Sequence, residues 1–185
     1  SWENLYAYNR KTLDPVAERY FFVHDPIELT VDKIPKVFNV KLRLHPAHQD
    51  GKGREYTIRP EHGDGNAKFW VSKNDVDASK IGNVIRLMEL FNVEIKNANV
   101  YSAEASFAGE SYEQAKQMKA QLIHWIPVGE DMPCQVIMQD ATVVEGIAES
   151  ICKRLQPNTI IQFERYGFVR IDQVGERLTA YYAHK

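Results

Sequence analysis

Thr159-Ile160-Ile161-Gln162-Phe163 and Phe168-Val169-Arg170-Ile171 are two short runs dominated by β-branched and aromatic residues, and Glu164 to Gly167 separate them. Such runs fit the pleated, half-buried surface of a strand. The same texture recurs outward from this stretch: Tyr20 to Val23, Ile27 to Val31, Val37 to Leu44, Tyr56 to Ile58, Lys68 to Val71, Val84 to Leu87, Asn92 to Val100, Gln121 to Ile126, Gln135 to Met138 and Arg177 to Tyr182. Between the runs lie turn signals: Asp25-Pro26, Asp50-Gly51-Lys52-Gly53, Gly63-Asp64-Gly65, Gly109 and Pro157-Asn158. About twelve strands without long intervening helices predict an all-β fold and argue against βαβ units. Twelve are too many for one small barrel, so the pattern predicts two small β-barrels packed side by side.

The N-terminus differs. Trp2, Leu5 and Tyr6 share one helical face within Ser1 to Leu13, and the helix is expected to stop before Asp14-Pro15, because a residue preceding proline disfavours the helical region. Asp14 as an N-cap with Pro15 in the first turn predicts a second short helix over residues 15–19. The expected organisation is a helical lead-in (1–20), a proximal barrel (21–127) completed by C-terminal strands from 168–185, and a distal barrel (128–167), with the boundary near Pro127-Val128-Gly129.

At 185 residues with 44% hydrophobic and 26% charged residues, the chain has the composition of a folded protein. Lys and Arg number 23 against 25 Asp and Glu, so a nucleic-acid partner requires a local basic patch rather than bulk charge. Charge is uneven: residues 36–59 carry a local +4, residues 128–149 a local −5 and residues 153–170 a local +3. In the last segment basic residues alternate with Phe163, Tyr166 and Phe168, a pattern suited to phosphates and to stacking on unpaired bases. No apolar stretch is long enough to span a membrane and no secretion signal opens the chain, which reads as soluble and cytoplasmic. Cys134 and Cys152 are expected to be free thiols. The start at Ser1, without methionine, suggests an excised piece.

Catalytic motifs are missing. Gly51-Lys52-Gly53 lacks the remainder of a phosphate-binding loop, no nucleophile elbow occurs, and Cys134 has no basic neighbour to activate it. His45, His48 and His62 have weak metal-ligand spacing with no cysteine pair to complete a set. No catalytic residue, metal ligand or cofactor site is expected within these residues.

Four strings occur in order: Ala17 to Pro26 (AERYFFVHDP), Leu44-His45-Pro46 followed by Gly53-Arg54, Ile123-His124-Trp125-Ile126, and Ile161 to Asp172 (IQFERYGFVRID). Together they resemble the C-terminal anticodon-binding region of the glutamyl- and glutaminyl-tRNA synthetases. Ser1 to Leu5, Asn9-Arg10 and the terminal Ala180 to Lys185 are more similar to the archaeal glutamyl enzymes. The resemblance implies two β-barrels gripping an anticodon loop in the groove between them, with the tRNA anticodon stem-loop as partner and no DNA or membrane. It further implies an N-terminal catalytic domain, absent here, that uses ATP and Mg. Carried over by position, Arg19, Gln162 and Arg165 are expected to contact the middle anticodon uridine, Arg86 the first base, where Met88 replaces a second arginine of the glutaminyl enzymes, and Lys80 the third. The stretch Asp77-Ala78-Ser79-Lys80 keeps one cation of the basic cluster the glutaminyl enzymes have there, which makes charging of both tRNA(Glu) and tRNA(Gln) a possibility the resemblance opens. The same region of a glutaminyl enzyme, and a free-standing RNA- or protein-binding barrel, remain alternatives. In an ideal strand Gln162 and Arg165 face opposite sides, so a shared contact requires the chain to turn between them.

Overall fold

The computed structural model describes residues 1–185 other than Gln49, His62 and Asp64. Strands make up 47% of the chain and helices 16%, arranged as one N-terminal helix and two curled half-barrel sheets. The elements are α1 (Trp2–Leu13), β1 (Arg19–Tyr20), β2 (Phe22–His24), β3 (Pro26–Asp32), β4 (Phe38–Arg43), β5 (Gly53–Ile58), β6 (Ala67–Ser72), β7 (Val84–Leu87), β8 (Asn92–Ala98), β9 (Ser102–Phe107), α2 (Tyr112–Gln117), β10 (Gln121–Ile123), β11 (Ile126–Pro127), β12 (Asp131–Ile137), β13 (Val143–Glu149), β14 (Ile160–Phe163), β15 (Gly167–Val174) and β16 (Leu178–His184). One seven-stranded sheet runs β1-β14-β15-β16-β12-β13-β2 and the other β10-β7-β8-β9-β3-β6-β11, with β4 and β5 as a separate pair.

The chain divides into two compact units that are not continuous in sequence: Ser1–Phe22 with Leu42–Arg54 and Asp131–Lys185, and Val23–Lys41 with Glu55–Glu130. This redraws the linear division expected from the sequence. Residues 168–185 do not complete a barrel with residues 21–127, because β16 lies parallel to β12 (Gln135 opposite Thr179) and antiparallel to β15 (Ile171 opposite Ala180). A side-chain bond from Gln135 Nε2 to Thr179 Oγ1 (3.0 Å) fixes that register.

The first unit buries the inward residues of its strands around Tyr20, Phe22, Ile161, Phe163, Val169 and Ile171, with the Phe22 and Phe163 rings stacked at 5.0 Å. Each large apolar side chain removed from water there contributes about 1.5–3 kcal/mol. The second unit packs Phe69, Phe91 and Trp125 edge to face, and the Trp125 indole N–H donates to the Met88 carbonyl (2.8 Å).

Several elements depart from the sequence reading. The helix expected over 15–19 is absent: Asp14 is the C-cap of α1, still in the helical region because its N–H donates to the Arg10 carbonyl (2.8 Å). Strand β9 contains no β-branched residue, yet it is built because Ala103 and Ala105 face inward between β3 and β8. Helix α2 was signalled by Ser111, whose Oγ accepts from the Gln114 N–H (3.1 Å) in the pattern of an N-terminal capping box.

Candidate nucleic-acid interface

Strands β1 and β14 lie parallel with Arg19 opposite Gln162 and Tyr20 opposite Phe163. The ladder is explicit: the Gln162 N–H donates to the Glu18 carbonyl (2.9 Å) and the Glu164 N–H to the Tyr20 carbonyl (3.0 Å). Tyr20 and Phe163 are completely buried in the first unit, so by the two-residue alternation of strands Arg19 and Gln162 project together from the opposite face. In-register neighbours on adjacent strands are roughly 4.8 Å apart, close enough for one planar ligand to meet both. Arg19 Nη2 donates to the Asp14 carboxylate at 3.1 Å, and Arg19 Nε is shielded from solvent with no hydrogen-bond partner among the described residues. Behind this face the Tyr20 hydroxyl donates to Glu18, and Arg154 Nη2 donates to the Tyr20 oxygen at 3.3 Å. Burial, reinforced by Glu18, pushes the Tyr20 hydroxyl well above its ordinary range and keeps it a donor.

The turn that the sequence required lies between β14 and β15. The Tyr166 N–H donates to the Phe163 carbonyl (3.0 Å), and Arg165, at the exposed tip, has φ +60°. A non-glycine residue held in the left-handed region costs about 1–3 kcal/mol and persists only where its surroundings enforce it. Gly167, opposite Phe163, closes the turn at φ +153°; a Cβ there would sit 2.5 Å from the Tyr182 ring and 2.9 Å from the His184 carbonyl oxygen. Gly167→Ala is therefore expected to destabilise the first unit by about 1–3 kcal/mol through overpacking, read as a lower urea midpoint at unchanged slope; an unchanged midpoint would contradict the packing described.

The aromatic residues interleaved with this basic segment do not form a stacking platform. Phe163 and Phe168 are buried, and Tyr166 packs edge-on against Phe22 (5.0 Å) and Tyr182 (5.8 Å). Burial pushes the Tyr166 hydroxyl up to about 12. What the face offers is a guanidinium, an amide and a second guanidinium on the adjoining turn, a set suited to hydrogen-bonding the edge of a base.

A pair absent from the sequence reading underlies this region. Arg54 and Glu149 are 1% and 0% exposed and meet at 3.0 Å through Arg54 Nε. The other Glu149 oxygen accepts the Phe21 N–H at 2.6 Å, Arg54 Nη1 donates to the Arg43 carbonyl at 2.8 Å, and the Arg54 guanidinium lies 4.9 Å from the Phe21 ring centre. Arg54 thus leaves the basic patch expected over 36–59. In the same stretch Lys36 pairs with Glu110, Lys41 with Glu55 and Lys52 with Asp50, which further reduces the cations available to phosphate.

The remaining expected contacts lie in the second unit. Arg86 is buried; its Nη1 donates to Asn92 Oδ1 (2.8 Å) and to the Glu110 carbonyl (3.0 Å), and its guanidinium lies over Tyr112. Asn92 in turn donates to the Ser111 carbonyl (2.9 Å), so Arg86 braces the start of α2. Burial lowers the Arg86 pKa from its ordinary value. Lys80 is half-buried at the edge of an open cleft of about 520 Å³ that Lys119 and Gln121 also line. In this cluster Asp77 is committed locally, accepting the Ser79 N–H at 2.8 Å.

His45 donates from Nε2 to the Asp14 carbonyl (2.5 Å) and accepts the Ala47 N–H at Nδ1 (3.1 Å), so both ring nitrogens are used in holding its loop to the end of α1. His62 lies outside the described residues. Among the described residues no group of three or more His, Cys, Asp or Glu is placed to hold a metal ion. Cys134 and Cys152 are free and buried. Burial pushes the Cys134 thiol from 9.0 up to about 12 and raises Cys152 as well. For Cys134 the stability gained by keeping the thiol neutral is complete below pH 9 and is lost as pH rises from there towards 12. The unfolding free energy obtained from urea titration is expected to fall in that window, by up to about 1.4 kcal/mol per pH unit for this thiol, and to fall less steeply in Cys134→Ala; an identical slope in that variant would contradict the assignment.

Two family models described as the anticodon-binding domain of class I tRNA synthetases (E and Q) match residues 17–108 and 122–172. Arg19 lies in the first match and Gln162 and Arg165 in the second, so the outer face of β1 and β14 draws on both. The chain is 43% identical to a glutamate–tRNA ligase of Pyrococcus horikoshii, 42% to that of Pyrococcus abyssi and 37% to that of Methanopyrus kandleri, in each case over its whole length. It spans 31%, 31% and 32% of those proteins respectively. The two matches together cover most of both sheets, and the chain belongs to the anticodon-binding domain family of the class I glutamyl- and glutaminyl-tRNA synthetases.

Proposed function

We propose that the chain is the anticodon-reading part of a glutamate–tRNA ligase and that Arg19, Gln162 and Arg165 read the middle anticodon uridine. The observation that carries this reading is the in-register placement of Arg19 and Gln162 on the outer face of β1 and β14, with the Arg165 turn at the end of β14. An unpaired uracil presents two carbonyl acceptors flanking one N–H donor. Two guanidinium groups supply donors and the Gln162 amide can accept and donate, which matches that edge. The catalytic part, with its ATP and Mg, lies elsewhere in a longer protein, and docking the anticodon here uses binding energy far from the chemistry to place the acceptor end.

Arg86 is assigned a bracing role rather than a first-base contact, since its guanidinium is already occupied by Asn92 and Glu110. With Lys80 as the sole cation of residues 77–80, third-base selection is weak and the enzyme accepts both tRNA(Glu) and tRNA(Gln). The test is binding of the chain to a tRNA(Glu) anticodon stem-loop, a tRNA(Gln) one and one with the middle uridine replaced by cytidine, at two salt concentrations. The first two are expected to bind alike and the third more weakly at both salts. Equal binding of all three contradicts the middle-base reading, and a strong preference between the first two contradicts the lack of third-base selection.

A further inference from the structure

We infer that Arg54, although buried within the first unit, is a positioning residue that sets the geometry of the anticodon-reading face; the inference rests on the middle-base reading above. Four observations in the first unit converge on its guanidinium. Through Glu149 it holds the Phe21 N–H, and Phe21 is the residue at which the chain breaks between β1 and β2. That break fixes where β1 ends, and so which residue of the chain lies opposite Gln162; a one-residue slip would exchange Arg19 and Tyr20 between the outer face and the core. Through Nη1 it holds the Arg43 carbonyl at 2.8 Å, and the Arg19 N–H donates to the Leu44 carbonyl next in the chain at 2.7 Å. Its remaining terminus, Nη2, is 4.0 Å from Glu164 Oε2, and Glu164 immediately precedes Arg165 in the turn. Nη2 is buried and makes no hydrogen bond among the described residues. A movement of the turn that brings Glu164 to hydrogen-bond length, about 2.9 Å, would satisfy it. One side chain therefore reaches the end of β1, the segment that supports β1, and the turn that carries Arg165.

The energetics of buried ion pairs favour positioning over stability as the role of Arg54. Replacing such a pair as a unit with uncharged residues of similar volume is commonly neutral for stability, whereas removing one partner is strongly destabilising. A pair kept for stability alone is replaceable; a pair kept for geometry is not. Lysine retains the charge but cannot direct three separate donors at Glu149, Arg43 and Glu164, because it lacks the planar fork.

The experiment uses the 185-residue chain with Arg54→Lys and the double variant Arg54→Met with Glu149→Gln, in which glutamine still offers an acceptor to the Phe21 N–H. Each is titrated with the tRNA(Glu) stem-loop and with its middle-cytidine counterpart, and thermal melts report the folded fraction. The double variant is expected to fold with a melting temperature close to wild type while the uridine-over-cytidine preference falls about tenfold, and folded Arg54→Lys to lose a similar factor. A purely structural role would move the melting temperature and leave that ratio intact. If the double variant folds and keeps the wild-type ratio, or fails to fold, the inference is overturned while the middle-base reading stands. If the wild-type chain shows no preference for the middle uridine, the reading fails and takes the inference with it.

Discussion

Arg165→Ala is expected to weaken binding of the tRNA(Glu) anticodon stem-loop by roughly 10- to 100-fold while changing binding of the middle-cytidine stem-loop by only about the amount of one lost phosphate-range charge. The asymmetry follows from where Arg165 sits. It is exposed at the tip of the β14–β15 turn at φ +60°, whereas Phe163 and Gly167 on either side are buried. Alanine in the left-handed region carries a strain similar to that of arginine, so the melting temperature is expected to change little. Arg19→Ala should act in the same direction. It also removes the Asp14 ion pair, but with Asp14 more than half exposed that pair is worth at most about 1 kcal/mol. Affinity measured by titration against both stem-loops decides the matter. Equal losses with uridine and with cytidine would reduce Arg165 to a general electrostatic contact.

Glu149→Ala is expected to have the largest effect on stability, about 3–5 kcal/mol. The substitution removes two interactions at once: the carboxylate facing a guanidinium that is 1% exposed, and the acceptor of the Phe21 N–H. Neither orphaned group can turn to water. For a chain of this size the loss corresponds to a fall in melting temperature of about 10 °C. Calorimetry or denaturant titration at neutral pH checks it, and a loss below about 1 kcal/mol would mean that the Arg54–Glu149 pair is not buried in solution as described.

How much of this was legible in the sequence depended on whether the signal was local. The β-rich fold was, because runs such as Ile27 to Val31 carry the alternation of a half-buried strand and runs such as Phe168 to Ile171 carry its residue types. Strand β13 was not, since Val143 to Glu149 contains Gly146 and two glutamates and is made a strand by pairing with β12 along its whole length. Arg19, Gln162 and Arg165 were named through the family resemblance, but the placement of Arg19 and Gln162 on one face depends on a parallel pairing between distant segments that no local pattern encodes. Charge counting misled at Arg54 and Glu149, which contributed to a basic and an acidic stretch respectively and proved to be each other's buried partner. It misled again at Tyr166, Phe163 and Phe168, because spacing along a strand does not say which of its faces meets solvent. The division into two discontinuous units was only partly visible: the chain passes between them after Phe22, Lys41, Arg54 and Glu130, and of these crossings the sequence marked as a boundary only the last, beside Pro127-Val128-Gly129.

In the proposed function the outer face of β1 and β14 with its turn contacts the middle anticodon base. A double-mutant cycle tests it most directly: wild type and Gln162→Ala, each titrated with stem-loops carrying uridine or 3-methyluridine at the middle position, the methyl group removing the N–H donor that the Gln162 amide would accept. Non-additivity of about 1 kcal/mol or more is expected, because each change removes the same hydrogen bond. Additive losses would show that Gln162 and the middle base do not meet, and would contradict the account.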